Sequence, residues 1–491
     1  MHKEIFMKLS KLIEKLNITK ICGSTDVCIS SVEYNSSKVV DGSLFVCLKG
    51  FNADGHAYIP DAIARGAAAV LVEDMPNDDI DATVICVPDT REALAYISAA
   101  WFDHPAEKLT VIGLTGTKGK TTTAFMTKRI LEEAGYKVGM IGTLGAFIGE
   151  EQIKTKNTTP ESFELHAFFR RMLDKGCTHV VMEASSQGFK LKRTAGLTFD
   201  FGAFLNLSPD HISPGEHETF EEYRDCKKMM FSQTKCVIAN ADSEYWQYMT
   251  EGNEVITVST DKDASLRADN VSSVWDKAVL GSRFNVSGLY NGEILLNMPG
   301  IFNVHNALIA MAVAHGLGIS LETVQNALSK ISVKGRTQLI REAANMGTFI
   351  IDYAHNALSI EALLEMLKSY SPKRLILVFG GGGGRAKQRR YDLGLAAGRS
   401  ADLSILTTDN PRFDDLDTIF AHIIEGIDVH GGKYEIVIDR EDAIHYAMDI
   451  CQKDDIVAFV GKGHEEYQDI KGVKYYFSEE KIIKEYAASK L

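Results

Sequence analysis

Short runs of Val, Ile and Leu recur along this chain, each followed by a turn or by a segment of helical period. The clearest are AAAVLVED, ATVICVP, LTVIGLTG, THVVMEAS, FDFGAFLNL, KCVIANAD, GTFIIDYA, KRLILVFGG, ADLSILTTD and DIVAFVGKG. A strand apolar on both faces must be covered on both, and crossover helices do that, so the pattern predicts an α/β protein with mostly parallel sheets. A chain of 491 residues needs more than one such core. Three blocks are expected. The first is 1–105, ending where WFDHPAEKL breaks a helix. The second is 106–335, whose tail from about Val255 to Met298 loses helical period and reads as a strand-rich insert. The third is 336–491, with the strands FIIDY, LILVF, LSILT, YEIVI and IVAFV.

Charge and cysteine usage narrow the class. Lys+Arg 53 against Asp+Glu 66 gives a net charge of −13, which argues against a general nucleic-acid binder. No run approaches the roughly 18 apolar residues of a membrane span, and MHKEIFMKLSKLIEKL reads as an amphipathic helix rather than a signal peptide. The 8 cysteines contain no CxxC pair, so neither a disulfide framework nor zinc-ligand spacing is read, and mostly buried, reduced thiols are expected. The expectation is a soluble cytoplasmic protein without membrane insertion.

The most specific local signal is TVIGLTGTKGKTTTAFMTKRILEEAG. A buried strand runs into Gly116, Thr117, Lys118, Gly119, Lys120, Thr121 and Thr122, and then into an amphipathic helix. Glycines free successive backbone N–H groups to wrap phosphate oxygens at the helix N-terminus, where the helix dipole also favours anions. Lys120 would reach the β- and γ-phosphates of ATP, and the Thr121 hydroxyl would coordinate Mg²⁺. The strict phosphate-loop spacing fails, because Leu114 stands where a glycine is required.

This shortened TGTKGKT loop resembles the TGTNGKT loop of the Mur ligases and folylpolyglutamate synthetases, ATP-dependent amide-forming enzymes. Further motifs follow in the family's order: NTTP (157–160), MEASSQG (182–188), NLSPDH (206–211), GIFNVHNALIA (300–310), DYAHN (352–356), GGGGGR (380–385), DNPR (409–412) and GKGHEEYQ (461–468). YNSSKVVDGSLFVCLKGFNADGH, at 34–56, looks like the uridine-nucleotide domain of the MurE branch. The resemblance covers essentially the whole chain. It implies an N-terminal uridine-nucleotide-binding α/β domain, a central phosphate-loop ATPase domain and a C-terminal Rossmann-like domain.

The resemblance also implies roles. Glu183, at a strand end, and His211 would bind Mg²⁺, and Lys227, four residues after Tyr223, matches the lysine that becomes carbamylated and assists the second metal. Asn303 and Asn306 on one helix face, with Arg336, Asp352 and His355 from the third block, would meet ATP. Ser36 and Asn52 would contact the uridine nucleotide, and Asn157, Thr158, Thr159, Ser185 and Arg193 the muramoyl-dipeptide. The family pattern is not kept throughout. Asn35–Ser36–Ser37 replaces DSR, Gly50–Phe51–Asn52–Ala53 replaces Gly-His-Gln-Thr, Leu191 replaces a glutamine, and Asn356–Ala357 replaces the proline of DYAHxP.

The amino acid added is the finer question. Diaminopimelate carries a distal carboxylate that lysine lacks, so its site needs a cation able to pair with it bidentately. Arg412 is that cation, with Asp409 and Asn410 as partners, while Arg385 would hold the α-carboxylate and Gly461 and Glu465 the distal head. Against this, FLNLSPDHISPGEHETFEEYRDCK looks closer to lysine-adding enzymes, and Gly384 replaces an aspartate before the arginine. Side-chain chemistry favours diaminopimelate joined to UDP-N-acetylmuramoyl-L-alanyl-D-glutamate. The alternatives are L-lysine addition, a folylpolyglutamate synthetase-like ligase, or an ATP-binding module that ligates nothing.

Overall fold

The computed structural model describes residues 6–50, 53–76, 80–149, 151–210, 212–213, 215–276 and 279–490. The chain forms two compact units, Met1–Leu266 with Ile309–Ile319, and Arg267–Leu308 with Ser320–Leu491.

Among the described residues, two larger sheets organise the first unit. Near the N-terminus the strands Ser31–Glu33, Ser43–Val46, Ala67–Val72 and Thr83–Cys86 pair in parallel, and Lys20–Cys22 adds an antiparallel edge. The helix Thr90–Trp101, capped by Asp89, buries Leu94, Ile97 and Trp101 against Leu44, Leu71 and Ile85 of that sheet. In the second sheet, Val138–Gly142, His179–Glu183, Thr110–Thr115, Phe199–Phe204, Thr234–Asn240 and Val255–Ser259 run parallel in that spatial order. Gly145–Ile148 and Glu151–Ile153 continue it antiparallel beyond Val138–Gly142. The strands His179–Glu183 and Val138–Gly142 are buried at every position, as central parallel strands covered on both faces are.

In the second unit, Leu280–Gly288 and Gly292–Leu296 form an antiparallel pair within the expected strand-rich insert. A six-stranded sheet then follows the order Gln338–Leu339, Thr348–Asp352, Ile456–Val460, Leu375–Phe379, Leu403–Leu406, Tyr434–Ile436, parallel except for the first. Period-two alternation divides its side chains between two cores. Leu375, Leu377 and Phe379 face the helices Ala357–Lys368, Lys387–Ser400 and Leu416–Asp428. Ile376 and Val378 face Arg440–Ile450 and Glu479–Ser489. This is the Rossmann-like arrangement, and it leaves the carboxyl ends of four adjacent parallel strands at one edge, where ligands of open α/β sheets gather.

Two expectations need correction. Of the N-terminal amphipathic helix, residues 1–5 lie outside the described residues and the rest holds a single turn, Leu9–Leu12, because Met7–Lys8 pairs as a strand with Cys28–Ile29 while Leu9 and Leu12 fill the core beside it. Tertiary pairing overrides helical period there. The cysteines are free, but burial is less general than expected: Cys47, Cys86, Cys177 and Cys226 are buried, whereas Cys22 and Cys28 are exposed. No helix among the described residues is long and apolar enough to cross a membrane.

Candidate active site

Three neighbouring strands of the first unit end together. Thr110–Thr115 runs into the phosphate loop, His179–Glu183 ends on its glutamate, and Phe199–Phe204 leads to Asn206. The loop turns through Gly116 at φ +156° and Gly119 at φ +87°, the latter lying immediately before the helix Lys120–Glu133. A Cβ on Gly116 would sit 3.0 Å from Leu205 Cβ and 3.1 Å from the Asn206 carbonyl oxygen, so only glycine fits without a shift. The segment after Phe204 braces the loop. Asn206 accepts from the Lys118 N–H at 2.9 Å and donates to its carbonyl at 3.0 Å, while Thr117 Oγ1 lies 3.0 Å from the Tyr223 hydroxyl.

Two lysines converge on this loop. Lys120 Nζ donates to the carbonyls of Gly116 at 2.7 Å and Thr117 at 3.0 Å, and Lys227 Nζ donates to the same Gly116 carbonyl at 3.0 Å. Lys227, on the helix Phe220–Lys228, is 2% exposed. Burial, and then the charge of Lys120, push its pKa well below the ordinary lysine value, so the uncharged amine is favoured.

Glu183 is buried with hydrogen-bond donors around it. Thr121 Oγ1 donates to Oε1 at 2.9 Å, the Thr143 N–H donates to Oε1 at 3.0 Å, and the Thr143 hydroxyl donates to Oε2 at 3.1 Å. Gly142 makes room for this carboxylate, since a Cβ there would run into Oε1. Gly142→Ala should therefore displace Glu183, with a stability loss of about 1–3 kcal/mol from overpacking and a larger fall in turnover. Thermal unfolding and turnover measured together check this. An alanine variant with unchanged turnover would mean that the carboxylate position is not critical.

The residues expected to hold the dipeptide lie beside Glu183. Thr159 Oγ1 donates to the Glu183 carbonyl at 2.9 Å and lies 3.1 Å from Ser185 Oγ, while Thr158 Oγ1 is 3.1 Å from Thr143 Oγ1. Arg193 donates to the Thr159 carbonyl at 3.0 Å and holds Glu161 in its fork, with Nε at 2.8 Å and Nη2 at 2.7 Å. Asn157 is exposed, and Thr122 is buried in the first turn of the phosphate-loop helix. Ser36 opens a short 3-10 turn, Ser36–Lys38, in the N-terminal sheet's loops. Asn52 and His211 lie outside the described residues.

In the second unit, Asn303 and Asn306 are buried on the helix Ile301–Gly316 and bonded to one another at 3.2 Å. Asp352, at a strand end, accepts the N–H groups of Thr337 at 2.7 Å and Ala354 at 2.8 Å. Burial raises its pKa, opposed by the nearby Arg336, whose guanidinium stacks 5.0 Å from the Tyr353 ring centroid. Burial also lowers the pKa of His355, whose Nδ1 is 2.8 Å from the Tyr353 carbonyl.

One cavity of this unit gathers all the residues expected to hold the amino acid: Arg385, Asp409, Asn410, Arg412, Gly461 and Glu465. The four strand ends Asp352, Phe379, Leu406 and Val460 deliver them or their neighbours. Asn410 donates to Glu465 Oε2 at 3.0 Å, and Lys462 donates to Asp409 Oδ1 at 3.2 Å and Asn410 Oδ1 at 3.0 Å. Arg412 takes the left-handed conformation at φ +52°. Its N–H donates to the Asp469 carbonyl at 3.0 Å and its carbonyl accepts from the Lys471 N–H at 2.7 Å, which pins the loop to the hairpin Tyr467–Ile470/Val473–Tyr476. Its guanidinium reaches no nearer than 4.0 Å to Asp469 and stays about half exposed.

Several residues of these sites were not singled out in the sequence. They are Gly142 and Thr143 around Glu183, Glu161 in the fork of Arg193, and Lys462 beneath Asp409 and Asn410. The lysine stands inside GKGHEEYQ and was within reach of motif reading. The others carry no signal of their own in one sequence.

A phosphate-loop strand–helix unit in a mostly parallel sheet, together with a Rossmann-like domain whose strand ends build a polar cavity, defines the class. Comparison with known proteins gives the family. The Mur ligase family catalytic domain is matched over residues 28–102, the Mur ligase middle domain over 114–314, and the Mur ligase glutamate ligase domain over 335–463. A Caldanaerobacter subterraneus subsp. tengcongensis protein named UDP-N-acetylmuramoyl-L-alanyl-D-glutamate--2,6-diaminopimelate ligase is 40% identical over 484 residues, 97% of this chain and 99% of its own. The Clostridium acetobutylicum protein of the same name, numbered 1, is 37% identical over 98% of this chain and 99% of its own. A solved structure of a 2,6-diaminopimelate ligase of that name superposes with TM-score 0.74 at 26% identity, covering 99% of both chains. The chain belongs to the Mur ligase family.

Proposed function

We propose that this chain is the ATP-dependent ligase that joins meso-diaminopimelate to UDP-N-acetylmuramoyl-L-alanyl-D-glutamate, giving the UDP-linked tripeptide, ADP and phosphate for peptidoglycan synthesis in the cytoplasm. Relatives of that name at 35–40% identity over nearly the full chain support it. The observation that carries it is the cavity in which Arg385 and Arg412 stand with Asp409, Asn410 and Glu465. Two guanidinium groups suit two carboxylates, and acidic and amide oxygens suit a distal ammonium.

Joining a carboxylate to an amine in water is uphill, so the carboxylate is first activated. The D-glutamyl carboxylate attacks the γ-phosphorus of ATP and ADP leaves. The amine then attacks the acyl carbon of the resulting acyl phosphate, and phosphate departs. Such phosphoryl transfer needs positioning and charge neutralisation more than an acid–base pair. The loop amides of Gly116 to Thr122 cradle the phosphates, and Lys120 neutralises the transferring group. Arg193, Thr158, Thr159, Ser185 and Asn157 hold the dipeptide, while Ser36 and Asn52 meet the uridine nucleotide. Asn303, Asn306, Arg336, Asp352 and His355 would serve the nucleotide.

Magnesium, when bound, would spread the negative charge of the phosphates. The close pairing of Thr121 and Glu183 oxygens fits a hard cation, and His211 and a carbamylated Lys227 would complete the donors. The uncharged amine is the form that adds CO₂, and burial with the charge of Lys120 favours that form at Lys227. Lys227→Ala should lower turnover by at least about a hundredfold, with partial restoration by formate or acetate standing in for the carbamate. Full activity with an unmodified Lys227, checked by mass spectrometry under CO₂, would rule the carbamate out.

The function itself is tested with a panel of meso-diaminopimelate, L-lysine and L-ornithine, reading phosphate release. Release is expected only when nucleotide dipeptide and diaminopimelate are both present. Preference for lysine would replace the substrate assignment, and release without either substrate would point to an ATPase that does not ligate.

A further inference from the structure

The helix Phe220–Lys228 carries Glu222 and Cys226 one turn apart, so both project from the same face. His217 precedes the helix, whose N-cap is Thr219. Among the described residues, His217, Glu222 and Cys226 bring one imidazole nitrogen, one carboxylate oxygen and one thiol sulfur within 4.8 Å of one another. His217 and Cys226 are buried, and Glu222 is partly open to solvent, which leaves a way in.

We propose that His217, Glu222 and Cys226 form a binding site for a borderline-soft divalent cation, with zinc as the best chemical match, separate from the oxygen donors of the phosphate-loop site. One histidine, one carboxylate and one thiolate are donors that suit zinc and do not suit magnesium. Three protein ligands leave the fourth tetrahedral position to water. The thiol gives its proton to solvent as the metal–sulfur bond forms, so loading releases one proton from Cys226.

The surroundings favour this arrangement. Ser186 Oγ lies 2.9 Å from His217 Nε2, a contact that fixes the ring and turns Nδ1 toward Glu222 Oε2 at 3.9 Å. A metal-ligating histidine typically uses its second nitrogen in this way. The two carboxylate oxygens are divided: Oε1 pairs with Lys190 Nζ at 2.7 Å, and Oε2 faces the histidine while accepting the Glu218 N–H at 2.7 Å. Zinc–nitrogen bonds of about 2.0–2.1 Å and zinc–sulfur bonds of about 2.3 Å give ligand separations of about 3.3–3.8 Å, so loading needs only a small contraction. Lys190 is the competing cation, one-third exposed and able to swing away.

The distribution of cysteines alone concealed this group, because it contains one thiol and its histidine lies nine residues away in sequence. The helix and the turn before it bring the three donors together.

The test uses the full chain, freed of metal by chelation, kept reduced, and titrated with Co²⁺ in excess Mg²⁺ so that the oxygen-donor positions are filled. A sulfur-to-cobalt charge-transfer band that saturates at one Co²⁺ per chain and disappears on adding Zn²⁺ is expected. Cys226→Ala should abolish the band, Glu222→Gln should weaken cobalt binding by at least about tenfold, and Lys190→Ala should strengthen it. Cys236→Ala, which removes a half-buried thiol elsewhere, should leave the band intact. Thermal unfolding of Cys226→Ala confirms that the variant is folded, and His217→Gln gives the same reading if it is not. A wild-type chain without the band, or a band that survives both Cys226→Ala and His217→Gln, overturns the proposal.

Discussion

Lys120→Ala should reduce ligation by at least about a thousandfold in turnover while leaving the thermal transition close to wild type. Phosphoryl transfer depends on cations aimed at the developing charge, and one such group is worth several kcal/mol in a water-poor site. The side chain donates to two carbonyls of its own loop, at 2.7 and 3.0 Å, so its ammonium is held against that loop. A second effect adds to the first. The charge of Lys120 is one reason that Lys227 is held toward its uncharged form. Removing it makes Lys227 easier to protonate and so less ready to add CO₂. Turnover, unfolding and intact mass in the presence of bicarbonate report the three parts separately. Turnover within tenfold of wild type would remove Lys120 from the chemistry.

Arg412→Ala should collapse the preference for diaminopimelate over lysine by about 30- to 150-fold. That corresponds to a loss of about 2–3 kcal/mol, the lower part of the range for truncating a charge pair, because the guanidinium is half exposed. Lysine has no distal carboxylate and should lose little. Arg412→Lys should restore only part of the preference, since an ammonium cannot reproduce the planar fork. The measurement is kcat/KM for both amino acids with each variant. A ratio unmoved by alanine would mean that Arg412 shapes the loop and leaves recognition to its neighbours.

The strands were legible in the sequence because parallel strands buried on both faces must be written as unbroken apolar runs, as in Ile376 to Val378 or Val180 to Met182. Glu183 and Asp352 end strands and Asp409 follows one closely, where ligands of open α/β sheets gather, while their roles were read from the resemblance of their motifs. Residues that act by contact across long separations were not legible. Thr143 meets Glu183 across 40 residues, Arg193 meets Glu161 across 32, and Lys462 meets Asp409 across 53. Motifs marked Glu183, Arg193 and Asp409, but nothing local marks Thr143 or Glu161 as the residues they would meet. The N-terminal helix failed for the same reason. Its period was right for one turn, but the pairing of Met7–Lys8 with Cys28–Ile29 is a long-range event that no window of neighbouring residues contains.

On the proposed role of Arg193, Glu161, seated in its fork and 3.5 Å from Arg91, would make the arrival of a dipeptide carboxylate an exchange of one anion for another. The nearly buried guanidinium therefore need not wait uncompensated, and its orientation is set before the nucleotide dipeptide arrives. Because the number of charges in the fork is the same before and after, association at this point draws little on net Coulombic attraction. Selectivity would then come from which carboxylate fits the fork together with the Thr159 and Ser185 hydroxyls, and not from charge alone. The resident glutamate would work as an internal reference ligand that any incoming acid has to better.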